Sequence, residues 1–222
     1  MYQKMRSDVF VAVVLLSFLP LELGAQAVVE NYTSVTDDRL INPEEHNWLS
    51  YRGTLDGWGY SKLDQINDTN IEELQPVWSF STGVLGGHES PPIVNDGVMF
   101  VTTPGNFLYA IEAATGDLLW RYQHNLPENY IAFHRTNRGV ALYGDKVYMA
   151  TLDARVIALD ATTGEKVWDT PVQDNSFGYY ITMAPLAIDG KILVGTSGGE
   201  LGIRGRVVAL DAESGTEAWR TY

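Results

Sequence analysis

With no cysteine among its 222 residues, the chain offers no thiol nucleophile, no thiolate metal ligand and no disulfide. Its four histidines, His46, His88, His124 and His134, show no metal-ligand spacing and are assigned to structural or solvent-facing roles. What remains for chemistry is carboxylates, arginines and short loops rich in glycine and hydroxyl groups. Such residues can hold oxyanions or hard cations. Asn137-Arg-Gly139 and Ser197-Gly-Gly-Glu200 are two runs of such residues. Read alone, Arg138 is a surface salt-bridge residue, and Ser197 to Glu200 could as well be an ordinary turn. Their meaning depends on the framework that presents them.

That framework is a repeat. Ala110-Ile-Glu-Ala-Ala-Thr-Gly-Asp-Leu-Leu-Trp120, Ala158-Leu-Asp-Ala-Thr-Thr-Gly-Glu-Lys-Val-Trp168 and Ala209-Leu-Asp-Ala-Glu-Ser-Gly-Thr-Glu-Ala-Trp219 superimpose without gaps. They recur about every fifty residues, the period of a propeller or solenoid. Each reads as strand, turn, strand. Glu112, Asp160 or Asp211 opens the turn, and Gly116, Gly164 or Gly215 supplies the positive φ of a tight reversal. The tryptophan four residues later lies on the returning strand, where its ring can fill the gap between stacked units.

A second hairpin precedes each unit, turning at Asn95-Asp96-Gly97, at Gly144-Asp145 and at Asp189-Gly190. Two hairpins per repeat predict an all-β fold, a β-propeller of four-stranded antiparallel blades. The short β-branched runs and turn glycines exclude a helical solenoid; Thr69 to Leu74 is expected to form one short helical turn. Only three complete blades fit between about Ser90 and Trp219, whereas propellers close with about four to eight. Trp78, in Pro76-Val-Trp-Ser-Phe80, resembles an outer strand with no inner strands before it. Residues 28–222 are therefore expected to be the N-terminal part of a longer propeller.

The first 27 residues read as an export signal. Lys4 and Arg6 precede an apolar run from Val9 to Leu19, and Ala25-Gln-Ala27 offers a small-x-small cleavage site. The run is well short of the ~20 residues that span a bilayer. Periplasmic location follows as an expectation, with no integral membrane segment. A net charge of −13, from 28 acidic and 15 basic residues, excludes a nucleic-acid binder.

With these motifs in view, Asn47 to Trp219 resembles the start of a quinoprotein alcohol dehydrogenase, of the methanol and ethanol dehydrogenase family that uses pyrroloquinoline quinone (PQQ). Trp48-Leu-Ser-Tyr-Arg-Gly53 through Tyr60-Ser-Lys-Leu-Asp-Gln-Ile-Asn67 is similar to that family's opening segment, and Thr162 to Trp168 carries its tryptophan-docking repeat. The resemblance implies a propeller of eight blades, of which about three are present. It implies oxidation of a primary alcohol, hydride passing to a metal-activated quinone and electrons to a cytochrome c. The metal would be calcium or a lanthanide. Oligomeric state is left open.

The resemblance also implies site residues. Gly87-His-Glu-Ser-Pro91 assigns Glu89 to the quinone, Asn137-Arg-Gly139 assigns Arg138, and Ile181-Thr-Met-Ala-Pro-Leu186 assigns Thr182. Ser197, Gly198 and Gly199 are assigned to the cofactor and Glu200 to the metal. The family's catalytic base is an aspartate in a later blade, so no catalytic residue is assigned here. In the blade map, Glu89, Arg138 and Thr182 precede the first strand of a blade, while Ser197 to Glu200 follow the second strand of the third. In a four-stranded meander those connections emerge on one face, so the motifs are expected to share a rim.

Many alcohol-oxidising members carry an adjacent-cysteine disulfide just before Asn-Arg-Gly; Ala132-Phe-His-Arg-Thr136 carries none. The rival reading is a non-catalytic propeller scaffold, like the lipoprotein of the outer-membrane barrel-assembly machinery, which shares the repeat. That lipoprotein needs a cysteine after its signal, and this chain has Gly24-Ala-Gln26 there. Export makes a direct expectation: N-terminal sequencing of periplasmic protein should begin close to Val28, and an intact Met1 on exported material would refute the signal.

Overall fold

The computed structural model describes residues 28–222. The expected export signal, residues 1–27, lies outside the described residues. The described chain is built from three four-stranded sheets, each a simple antiparallel meander. The first blade contains β1 (Ile93–Asn95), β2 (Val98–Thr103), β3 (Phe107–Glu112) and β4 (Leu118–Gln123). The second contains β5 (Val140–Tyr143), β6 (Lys146–Ala150), β7 (Arg155–Asp160) and β8 (Lys166–Pro171). The third contains β9 (Leu186–Ile188), β10 (Lys191–Gly195), β11 (Val207–Asp211) and β12 (Glu217–Thr221). The expected two-hairpin blades are therefore present in order.

Among the described residues helix is confined to α1 (Asp37–Ile41) and short 3-10 turns, one of them at Ile71–Glu73 inside the expected stretch. Among the described residues no helix is long and apolar enough to cross a membrane. Pro76 to Phe80 belongs to no sheet, because a strand needs a paired neighbour and none lies beside it among the described residues.

The repeat's identical residues meet across each sheet. Ala110 pairs with Trp120, Ala158 with Trp168 and Ala209 with Trp219, and the register shifts by a bulge immediately after each alanine. An alanine opposite the indole leaves room for the ring, and the bulge re-aims the strand after it. The rings of Trp120 and Trp168 then reach into the following blade. Trp120 Nε1 donates to the Ala161 carbonyl at 3.1 Å, and Trp168 Nε1 to the Ala212 carbonyl at 3.1 Å. Trp78, ahead of the first blade, donates to the Ala113 carbonyl at 3.0 Å.

Beneath each ring lies the turn glycine of the receiving blade. A Cβ on Gly116, Gly164 or Gly215 would sit 2.7 Å from the indole of Trp78, Trp120 or Trp168 respectively. Their φ angles are +80°, +73° and +70°. The glycine thus answers two demands, the left-handed turn expected from the sequence and a close approach of the ring that only the packing reveals. Trp120 is fully buried, whereas Trp219 is 41% exposed and has no such turn to rest on among the described residues.

The same ends of the blades are tied by residues 28–48. Val29 donates to Thr162 in the β7–β8 turn, Val35 exchanges two backbone bonds with Gly144 in the β5–β6 turn, and Trp48 exchanges two with Val94 in β1. Thr36 caps α1 through its hydroxyl. The Asp37 carboxylate then accepts from the Asp189 amide at 2.7 Å and from the Tyr143 hydroxyl at 2.7 Å. One extended segment therefore touches hairpins of all three blades.

The double role of the turn glycine can be separated. Gly190 has φ +67° with open space where a Cβ would go. Gly190→Ala should cost about 1–2 kcal/mol for the left-handed backbone alone. Gly164→Ala should add about 1–3 kcal/mol of overpacking against Trp120. Denaturation of the two variants against wild type measures the difference, and equal losses would mean the indole contact is unimportant.

Candidate functional site

Glu89, Arg138 and Thr182 each stand a few residues ahead of the first strand of their blade, and β9 lies against β5. Equivalent positions in successive blades therefore converge. The Arg138 amide donates to the Thr182 carbonyl at 3.0 Å, and its Nη1 donates to Thr182 Oγ1 at 2.7 Å. Its Nη2 pairs with Glu89 Oε2 at 2.9 Å. One guanidinium thus joins three blades.

The backbone sets that geometry. Asn137 is buried, donates to the Ala150 carbonyl at 2.9 Å and accepts from the Gly139 amide at 3.1 Å, which fixes the peptides flanking Arg138. Gly139 has φ +117°, and its hydrogen faces Ser90 and Ala184 of the two neighbouring blades. The Arg138 and Glu89 side chains stay 37% and 47% exposed, so their pair adds little stability and remains within reach of a ligand. Thr182 is buried.

The second group joins the first through Tyr180. Ser197 donates its amide to the Tyr180 carbonyl at 2.8 Å, and the Tyr180 hydroxyl donates to Glu200 Oε1 at 2.7 Å. Gly199 to Leu201 form a short 3-10 turn between Gly198 and Gly202, both left-handed. Burial, then the neighbouring Glu200 carboxylate, pushes the Tyr180 phenol up to about 12. The Glu200 carboxyl is held below its usual range by its own backbone N–H, by the Tyr180 hydroxyl and by nearby His134. At neutral pH the shared proton therefore sits on tyrosine, and Glu200 is an oriented, exposed anion.

The two glycines of this loop differ. A Cβ on Gly198 would collide with the Gly178 carbonyl, so its smallness serves packing within the blade. Gly199 faces open space, and there a flat ligand can approach the backbone closely.

Tyr180 was not singled out in the sequence, although Tyr180 and Thr182 alternate on one strand-like stretch and so share a side. His134 is exposed, lines a cleft with Glu89 and acts on Glu200 only through space. The other histidines are structural or exposed. His124 Nε2 lies 2.9 Å from buried Asp153, His88 bridges Thr82 and the Gly86 carbonyl, and His46 is exposed. Among the described residues no group of three or more histidine and carboxylate side chains gathers as a metal cluster, and Glu200 stands as an isolated carboxylate. Together the residues offer a donor fork, hydroxyl groups, an open glycine backbone and an isolated carboxylate. That donor set suits a planar, oxygen-rich anion with a hard cation beside it.

Known proteins point the same way. A family model described as "PQQ: Glucose/ethanol/alcohol dehydrogenase, beta-propeller domain" matches residues 48–219. The chain is 38% identical to quinoprotein alcohol dehydrogenase PedH of Pseudomonas putida, over 96% of this chain and 36% of that protein. It is 41% identical to the quinoprotein ethanol dehydrogenase of Pseudomonas putida, over 94% and 34%. Among solved structures, quinohemoprotein alcohol dehydrogenase ADHIIG from Pseudomonas putida HK5 superimposes with a TM-score of 0.81 at 40% identity, over 86% of this chain and 29% of that one. A europium-containing methanol dehydrogenase gives 0.79 at 38%, over 83% and 34%. The chain spans about a third of the length of the curated relatives it matches. With a matching family model over most of its length and the repeat architecture in place, the chain belongs to the PQQ-dependent glucose/ethanol/alcohol dehydrogenase β-propeller family.

Proposed function

We propose that this chain forms part of a periplasmic PQQ-dependent dehydrogenase that oxidises a primary alcohol and passes electrons to a cytochrome c. The observation that carries the reading is the meeting of Glu89 and Thr182, from the two flanking blades, on the Arg138 guanidinium, with Tyr180, two residues before Thr182, bonded to Glu200. Such a cluster, exposed on one face and bonded across blades, is what a single ligand over the propeller axis requires.

PQQ with its metal would supply the two-electron acceptor for the carbinol hydride. Arg138 would hold one of its oxygens through a planar fork already oriented by Thr182 and Glu89. Thr182 and Ser197 are the hydroxyl groups in reach, and the open backbone at Gly199 lets the ring lie close. Gly198 contributes by keeping that loop tight against Gly178. Glu200 would give the metal one carboxylate oxygen, and Tyr180 aims it. Calcium or a lanthanide both accept such a hard ligand, and a europium-containing relative favours keeping both. No residue of this chain is assigned as the base that takes the alcohol proton.

Exposed Glu200 bonds to one tyrosine hydroxyl and stabilises little else. In the full-length protein, Glu200→Ala should therefore weaken metal binding by roughly 10-fold or more while leaving the melt of the metal-free protein nearly unchanged. Tyr180→Phe should weaken it in the same direction by removing the aiming bond. Metal titration of the PQQ-loaded variants, with melts of the metal-free protein alongside, distinguishes the cases. Unchanged metal affinity with a large loss of stability would make Glu200 structural.

A further inference from the structure

Where the third blade's loop returns into β11, two arginines stand without a carboxylate. Arg39, Arg138, Arg155 and Arg220 each pair with an acidic side chain. Arg204 and Arg206 have no such partner among the described residues, although acidic residues outnumber basic ones by 28 to 15. Both lie against one ring: the Arg204 guanidinium is 4.9 Å from the centre of Tyr222 and that of Arg206 is 4.7 Å from it. Arg206 also lies 5.2 Å from the centre of the Tyr179 ring. Cation–π attraction holds each guanidinium in place, but it gathers two like charges at one spot, where they repel.

Hydrogen bonds fix the pair. The hydroxyl of buried Tyr179 donates to the Arg204 carbonyl at 3.3 Å and accepts from Arg206 Nη2 at 3.2 Å. The Arg206 amide donates to Thr196 Oγ1 at 3.2 Å, and its carbonyl accepts from the Thr196 amide at 3.0 Å. Preorganised donors lose little entropy on binding. Arg206 Nε is buried and has no acceptor, a cost that a ligand oxygen would remove. Glu217 feels the Arg206 charge, but both its oxygens are bonded to Arg220. The cation that bears on Glu200 is His134, so the two arginines stand apart from the candidate metal ligand.

We propose that Arg204 and Arg206 form a binding site for a dianionic phosphate group, free in solution or terminating a lipid head. Two guanidinium forks carry two positive charges, and a tetrahedral dianion offers oxygens to both at once. A carboxylate, with one charge and two oxygens, answers a single fork. Beside the pair, Leu201 packs on Gly178, next to Tyr179, and stays 40% exposed, while Phe177 is 69% exposed. An aromatic and an aliphatic group next to arginines suit a lipid surface and do nothing for a free ion. The two sources of phosphate can therefore be told apart.

The test uses the full-length protein at low ionic strength, as wild type, Arg204→Gln and Arg204→Lys/Arg206→Lys. Arg204 is exposed, so Arg204→Gln should melt like wild type and keeps the test independent of folding. Calorimetric titration with inorganic phosphate should show one site in wild type, weakened about 10-fold or more in Arg204→Gln. The lysine pair should recover only part of the affinity, because an ammonium keeps the charge and loses the fork. Co-sedimentation with phosphatidic acid vesicles, against phosphatidylcholine vesicles, reads the lipid source. Phosphate binding without vesicle binding would assign the free ion. Vesicle binding that falls about 10-fold in Phe177→Ala/Leu201→Ala, with the phosphate titration unchanged, would assign the lipid head. Equal binding of both probes by wild type and Arg204→Gln, or no binding of either by wild type, would overturn the proposal.

Discussion

An indole ring laid on a glycine turn joins each blade to the next, and the site inherits its geometry from that joint. A lone four-stranded sheet has two faces to cover and little core of its own. Burying an indole removes roughly 150–250 Å² from water, worth at most about 4–6 kcal/mol at ~25 cal/mol/Å². The Nε1 hydrogen bond makes the contact directional. In Trp120 and Trp168 it reaches the carbonyl of the alanine that follows the turn's acidic residue, Ala161 and Ala212. The ring is therefore held in one orientation, and the same contact recurs at both junctions between the blades.

Repetition of that junction brings the functional residues together. Glu89, Arg138 and Thr182 lie far apart in the chain, yet each stands just ahead of the first strand of its blade. Rotating one blade onto the next carries one position onto the other. The ion pair between Arg138 and Glu89 is too exposed to create this arrangement; it reports an arrangement the backbone has already made. Buried Asn137 and the packing of Gly139 against both neighbouring blades do the positioning, and they leave the guanidinium partly exposed, within reach of a ligand.

The two rims have different tasks. On one, hairpin turns at Asp96, Gly144, Thr162 and Asp189 are bound by the N-terminal segment, through main-chain bonds and the carboxylates of Asp37 and Asp96. On the other, the loops carry Arg138, Tyr180 and Glu200, and exposed apolar groups around the Glu89 cleft. Tying one end of every blade keeps the assembly aligned while the other end stays open to ligands.

Much of the fold was legible because its signals are local and repeated. Alanine, glycine and tryptophan at one offset, with a turn signal in each preceding hairpin, define strand order, turn position and blade number without tertiary information. The positive φ of Gly164 follows from turn chemistry alone. Its second role does not, because the ring above it comes from a residue in the preceding blade. The same limit applies at the site. Arg138 and Glu200 could be named from motifs, but Tyr180 carries no motif, and its bond to Glu200 exists only because Ser197 pairs with it. Gly198 and Gly199 look equivalent in sequence; the Gly178 carbonyl beneath one and open space above the other make them different. Residue types and spacing determined which elements form and which groups could act. Only the packing of blade on blade decided which groups touch, since those contacts join residues that the chain itself keeps far apart.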